Sequence, residues 1–164
     1  MSNTTNFFDN KKHWSTYKDR LLSAYLSPYF AKILGTGKNT LFIDGFAGRG
    51  LFEDGTSGSP LIVKEKALEA MSRSKYNTKI IPIFIENKKK NAKILTEALN
   101  CNWCYVRNED YKKEALEIIC RNQDKNIFLY ADPFGIKHIQ YKIFEELALN
   151  KNSIELLLNL SSFG

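Results

Sequence analysis

The chain has 164 residues, 43% hydrophobic and 26% charged, a balance that excludes disorder and collagen-like repetition as descriptions of the whole. It holds one domain's worth of material, no run approaches the ~18 apolar residues of a membrane span, and the polar start MSNTTNFFDNKKHW has no apolar signal core. A cytoplasmic address without a membrane partner is therefore expected, and the net charge of +6, of which +5 falls in residues 1–82, suits either a polyanion such as nucleic acid or a merely soluble surface.

In chain order, a first helical stretch is predicted from Ser15 to Leu34, with Leu21, Leu22, Tyr25, Leu26, Tyr29 and Ile33 at spacings of three and four. Pro28 is a candidate break or kink. Gly35 to Asn39 reads as a turn, and Thr40 to Ile43 as a buried strand. A polar loop leads to a helix over Pro60–Arg73, with Ser59 as its expected cap. Lys79 to Ile85 is a second strand, and Asn87 to Leu99 a lysine-rich helix. A weaker strand, Trp103–Val106, precedes a helix over Tyr111–Arg121. Asn126–Ala131 is a strong apolar strand, Tyr141–Leu149 a helix, and Ile154–Leu160 a last strand. Strands alternating with helices predict an α/β fold, a parallel sheet covered on both faces, with residues 1–36 as a helical segment packed on a core domain of residues 37–164.

Ligands of such sheets bind at the carboxyl ends of the strands. Here Asp44, Glu86, Asp110 and Asp132 stand just after four successive strands. Asp44 opens the run Asp44-Gly45-Phe46-Ala47-Gly48-Arg49-Gly50, whose glycines let a ligand approach the backbone. The order is not the Gly-x-Gly-x-x-Gly of dinucleotide binding, and Gly35-Thr36-Gly37-Lys38 precedes its strand and lacks the following Ser or Thr of a phosphate loop. An acid at the head of the loop repels phosphate and accepts hydrogen bonds from a polar or cationic group. The plain alternative is a glycine-rich turn with a capping Asp. Glu86 can accept from ribose hydroxyls or serve as a helix N-terminal acid. Asp110 can accept from an adenine amino group or cap the helix at Tyr111.

Asp132-Pro133-Phe134-Gly135 is the second signal. Pro133 stiffens the turn and removes a donor, which leaves acceptors facing whatever sits above. Phe134 offers a face on which a base can stack. Acceptors plus a stacking face suit an amino group on a heteroaromatic ring; an ordinary turn with a buried Phe is the alternative.

Taken together, these residues resemble a class I S-adenosylmethionine-dependent methyltransferase. More narrowly, Phe42 through Gly50, Gly58-Ser59-Pro60 and Asp132-Pro133-Phe134-Gly135 resemble the three-Cys-motif partner proteins, known as TcmP. The resemblance spans about Lys12 to Leu160. It implies a Rossmann-like domain that binds S-adenosyl-L-methionine and is associated with a Cys-motif partner protein. By position, Asp44, Gly45, Phe46, Ala47, Gly48 and Gly50 would surround the methionine part of the cofactor. Glu86 would hold its ribose, Asp110 would face its adenine, and Asp132, Pro133 and Phe134 would face the acceptor. Amino-methylating enzymes carry two prolines in that last motif and this chain has one, which leaves other acceptors open besides an amino group of a nucleic-acid base. A catalytically inactive methyltransferase-fold module serving a partner protein is the alternative.

Other groups are weighed more briefly. Cys101-x-x-Cys104 with Cys120 is an odd set, read as reduced structural thiols and no metal site. The "three-Cys" of the family name belongs to the partner, so these cysteines are not that motif. His138 reads as a loop residue. Lys88-Lys89-Lys90 reads as a solvated helix face or a phosphate contact. Trp14 and Tyr17, beside Lys11, Lys12 and Lys18, read as core aromatics or nucleic-acid contacts. Complete domains of the resembled class carry seven strands, so strands 6 and 7 are expected to be lacking, with an apolar fifth strand open to self-association.

Overall fold

The computed structural model describes residues 13–133 and 140–159, apart from the side chains of His13 and Trp14. Five helices and five strands alternate: α1 (His13–Leu34), β1 (Thr40–Asp44), α2 (Ser59–Arg73), β2 (Ile80–Ile85), α3 (Lys89–Leu99), β3 (Tyr105–Arg107), α4 (Tyr111–Arg121), β4 (Asn126–Ala131), α5 (Tyr141–Leu149) and β5 (Ile154–Leu158). All pairings between these strands are parallel, in the order β3-β2-β1-β4-β5. The order reverses at β1, so the loops after β1 and β4 diverge and leave a crevice at the carboxyl edge. The fold is thus a Rossmann-like α/β sheet. Among the described residues no helix is long and apolar enough to cross a membrane.

Side chains alternate between the two faces of the sheet. Phe42, Phe84, Phe128 and Tyr130 join one core with Leu22, Leu26, Phe30, Val63 and Leu95 from α1, α2 and α3. Leu41, Ile43, Ile83, Ile85, Ile127 and Leu129 join the other with Ile118, Ile119, Ile143 and Leu147 from α4 and α5. Residues on β1 and β4 are buried throughout, which is why these strands read as unbroken apolar runs. Phe42 and Phe128, paired in register, stack at 4.9 Å. Burying each such ring is worth about 1.5–3 kcal/mol, so these aromatics weigh heavily in holding α1 to the sheet.

Several expectations shift. The inward stripe of α1 is Leu22, Leu26, Phe30 and Ile33, whereas Leu21 (65% exposed) and Tyr25 face outward. Tyr17 is also 65% exposed and is not a core aromatic. Pro28 does not end α1; it lies on the exposed side, where the proline ring meets no neighbouring element. Ser59 does not cap α2: the cap position is Gly58, and no side chain bonds there. The third strand starts two residues later and ends one residue later than predicted, at Tyr105–Arg107. On the outer side of β5 no strand pairs among the described residues. Leu160, His138 and Phe134 lie outside the described residues.

Candidate functional site

The loop after β1 begins by extending the sheet. Gly45 N–H donates to the Tyr130 carbonyl of β4 at 2.9 Å, and Ala47 N–H donates to the Ile85 carbonyl of β2 at 3.1 Å. The chain thus spans both neighbours before turning. Gly48 and Gly50 then adopt φ of +66° and +75°, a conformation that L side chains rarely take. A Cβ on Gly50 would also lie 2.6 Å from Leu95. The loop closes on itself through Gly58 N–H, which donates to the Gly50 carbonyl at 2.8 Å.

Asp44 lies beneath this loop and is 0% exposed. Its carboxylate accepts from Phe46 N–H at 3.0 Å and from the Ser59 hydroxyl at 2.8 Å. The hydroxyl expected to cap α2 therefore ties the start of α2 to the end of β1. Burial pushes the Asp44 carboxyl up to about 7, against the two hydrogen bonds that favour the anion, with Asp132 and Asp19 adding repulsion. In this arrangement Asp44 holds the loop, and its oxygens do not reach solvent.

Glu86 follows β2 and is 8% exposed. One oxygen accepts from Gly48 N–H at 3.0 Å, the other from Lys88 N–H at 2.7 Å. A carboxylate has about four lone-pair sites, so two backbone donors leave room for about two more. Its own backbone is anchored as well, with N–H to the Arg107 carbonyl at 2.9 Å and C=O accepting from Asn108 Nδ2 at 2.8 Å. Arg49 of the glycine loop donates through Nε to the buried Asn91 of α3 at 3.1 Å. The loop is thereby pinned to both ends of the segment that carries Glu86.

Asp110 caps α4, accepting from Lys112 N–H at 2.9 Å. Both expectations for it are compatible with its place, because it also lines a cavity of about 130 Å³ with Gly45, Phe46, Glu86, Glu109 and Tyr111. Phe46 and Tyr111 pack with ring centroids 4.7 Å apart. A Cβ on Gly45 would lie 2.5 Å from the Tyr111 ring, so Gly45 is required for that ring to close over the end of β1. Burial pushes the Tyr111 phenol up to about 12. Glu86, Glu109 and Asp110 outnumber Lys112 around this cavity, so its lining is net acidic and unfavourable to phosphate, and Phe46 and Tyr111 add apolar faces.

Asp132 lies across β1 from that cavity, at the end of β4. Its carboxylate accepts from the Lys18 ammonium of α1 and from Asn159 Nδ2 at 2.9 Å. Pro133 beside it is buried, and Phe134 lies outside the described residues. The fold thus brings Gly45, Phe46, Glu86 and Asp110 to one cavity, joins Gly48 to it through Glu86, leaves Ala47 and Gly50 in the loop but outside its lining, sets Asp44 underneath, and leaves Asp132 and Pro133 on the far side of β1. Sequence reasoning took Ser59 as a helix cap and part of the Gly58-Ser59-Pro60 motif and not as a partner of Asp44, assigned no site role to Tyr111, Asn91 or Asn159, and treated Lys18 only as part of a basic segment. Their contacts join distant parts of the chain, and no local spacing announces them.

Among the described residues no group of three or more His, Cys, Asp or Glu could hold a metal ion. The cysteines Cys101, Cys104 and Cys120 are free thiols. Comparisons of this chain with protein-family models, with curated proteins and with solved structures find no match.

Proposed function

We propose that this chain is a class I methyltransferase-like domain that binds S-adenosyl-L-methionine and transfers its methyl group to an amino group of a nucleic-acid base. The observation that carries the reading is Glu86. It is a nearly buried carboxylate at the carboxyl end of β2, held by Gly48 and Lys88 amides, and it lines a cavity of about 130 Å³ at the carboxyl edge of the sheet. In a sheet of order β3-β2-β1-β4-β5 that is where a ribose is gripped.

The residues fit the cofactor. Glu86 retains acceptor capacity for ribose hydroxyls, Asp110 and Tyr111 would face the adenine, and Gly45 and Phe46 line the same cavity. When bound, S-adenosylmethionine supplies an electrophilic methyl group on a sulfonium. The chain's own task is to place a nitrogen lone pair in line with it, which is catalysis by positioning. Asp132 would accept a hydrogen bond from the incoming N–H and hold its lone pair toward the methyl; the nitrogen–methyl bond would form as the sulfur–methyl bond breaks, and the surplus proton would pass from the nitrogen to solvent. The target base leaves its stack to reach this position.

A second reading is favoured by one specific observation. Asp132 is already engaged by Lys18 and Asn159, as it would be in an inactive module that serves a three-Cys-motif partner protein.

Calorimetric titration with S-adenosylmethionine, S-adenosylhomocysteine and a nicotinamide dinucleotide tests the cofactor. Binding of the first two and not the third, weakened at least tenfold in Glu86→Gln and Asp110→Ala, is expected. No binding by the folded chain overturns the reading. Transfer of a labelled methyl group to oligonucleotides then separates the enzyme from the inactive module.

A further inference from the structure

The first helical turns of α3 carry Lys89, Lys90 and Lys93 on one side of a groove. With Thr96 they face Val106 and Asn108 at the end of β3, around an open volume of about 600 Å³. No acidic side chain lines it. Lys89 and Lys90 have no ion pair among the described residues, and Lys93 reaches only Glu97, at 4.0 Å with both groups largely exposed. Such a pair is worth little in water. Three like charges around one groove repel one another, and an anion lying between them relieves that repulsion.

The strand beside the groove adds a different feature. β3 is the outer strand of the sheet, and its Tyr105 is 46% exposed. Arg107, two residues on and thus on the same face, is half exposed and pairs with Glu114 at 3.5 Å. A cationic track lies on one side of the sheet edge and an exposed aromatic on the other. The groove and the cavity beside Glu86 are separate, with no lining residue in common.

We infer that this edge of the sheet binds single-stranded nucleic acid, with phosphates along Lys89, Lys90 and Lys93 and a base stacked on Tyr105. Cations that follow a backbone, joined to a flat ring that accepts any base, are the two elements such binding needs. Single strands are favoured over a duplex, whose bases are already stacked and cannot lie on Tyr105. The net charge of residues 83–164 hides the surface, because acids elsewhere in that half cancel these lysines in the sum. The inference requires no methyl transfer and no cofactor.

The test is fluorescence anisotropy of labelled mixed-sequence oligonucleotides, single-stranded DNA and RNA and duplex DNA, over a series of salt concentrations without cofactor. Single strands are expected to bind more tightly than duplex. A Lys89→Ala/Lys90→Ala/Lys93→Ala variant is expected to lose at least tenfold in affinity at low salt. Its salt slope should fall by about 2, since each phosphate contact contributes about 0.7. Tyr105→Ala should weaken binding at least fivefold with an unchanged salt slope. Arg73→Ala/Lys75→Ala, basic residues at and just beyond the end of α2, should stay within twofold of the parent chain. Alanine is a good helix former at exposed α3 positions, and circular dichroism confirms that each variant is folded. No binding by the folded parent chain at low salt, preference for duplex, or a triple variant indistinguishable from the parent would each overturn the inference. Failure of S-adenosylmethionine to bind would leave it standing.

Discussion

The Lys18 ammonium of α1 closes on the carboxylate of Asp132, 114 residues later, and so joins the first helix to the end of β4. Asn159 holds the other carboxylate oxygen. The pair is partly exposed, with side chains 22% and 30% accessible, so its contribution to stability is modest, about 0.2–1 kcal/mol. Its larger consequence is geometric: the acid proposed to meet the acceptor is aimed by a residue from the opposite end of the chain.

Asp132→Ala is accordingly expected to abolish methyl transfer while leaving S-adenosylmethionine affinity within about twofold, because the nucleoside cavity lies across β1 from it. Calorimetry and labelled-methyl transfer on the same preparation check this. Lys18→Ala should lower the melting temperature by no more than about 4 °C, since about 1 kcal/mol corresponds to about 2–4 °C for a chain of this size. A cofactor affinity that collapses in Asp132→Ala would contradict the separation of the two halves of the site.

Asp44 predicts an unusual pH dependence. Its carboxyl is raised from 3.8 to about 7 by burial. The folded protein therefore binds more protons than the unfolded chain between those values, and the contribution of this group is fully present below about pH 4 and lost as pH rises through about 7. Asn cannot ionise and can keep both contacts, its carbonyl accepting from Phe46 N–H while the Ser59 hydroxyl turns to accept from its amide. Asp44→Asn is expected to gain in melting temperature relative to the parent chain as pH is raised from 4 to 8. A constant difference across that range would exclude a buried, titrating Asp44.

Gly45→Ala places a methyl group 2.5 Å from the Tyr111 ring. Overpacking of this kind costs about 1–3 kcal/mol. The variant should melt several degrees lower and bind S-adenosylmethionine more weakly, since Tyr111 lines the cavity. Combining it with Tyr111→Ala, which removes the opposing ring, should cost less than the sum of the two single changes. Strict additivity in thermal melts would rule out the steric account.

Tyr29 offers a stabilising change. Its ring packs edge-on against Phe128 at 4.9 Å, yet its hydroxyl is buried without a hydrogen-bond partner among the described residues. Leaving such a group unsatisfied costs about 1–3 kcal/mol. Tyr29→Phe keeps the ring and removes the orphan oxygen, so the melting temperature should rise by about 2 °C or more. A fall would mean that the hydroxyl has a partner in solution.

How much of this was legible in the chain can be argued from particular residues. The strands Asn126–Ala131 and Thr40–Asp44 stand out because both faces of a central parallel strand are buried, so their apolar runs are continuous. The three-residue β3 was misplaced because an exposed edge strand carries no such run. The inward face of α1 was not legible for a related reason. Leu21 and Tyr25 fit helical spacing as well as Leu22 and Leu26 do, and only the placement of α1 on the sheet decides that Leu22 and Leu26 are fully buried while Tyr25 reaches Phe128 only from the rim.

The same division runs through the site. Strand-end carboxylates and glycines at a tight turn are local facts, and local patterning was enough to single out Asp44, Gly45, Glu86, Asp110 and Asp132. Which of them is buried under the loop, which opens to a cavity and which is held by a distant lysine depended on contacts such as Ser59 with Asp44, Gly48 with Glu86 and Lys18 with Asp132. Residue types and periodicity determine which segments become strands and helices. Only the folded sheet, by setting β1 between β2 and β4, decides how each carboxylate is solvated and what it can touch, because burial and hydrogen-bond partners are properties of neighbours in space.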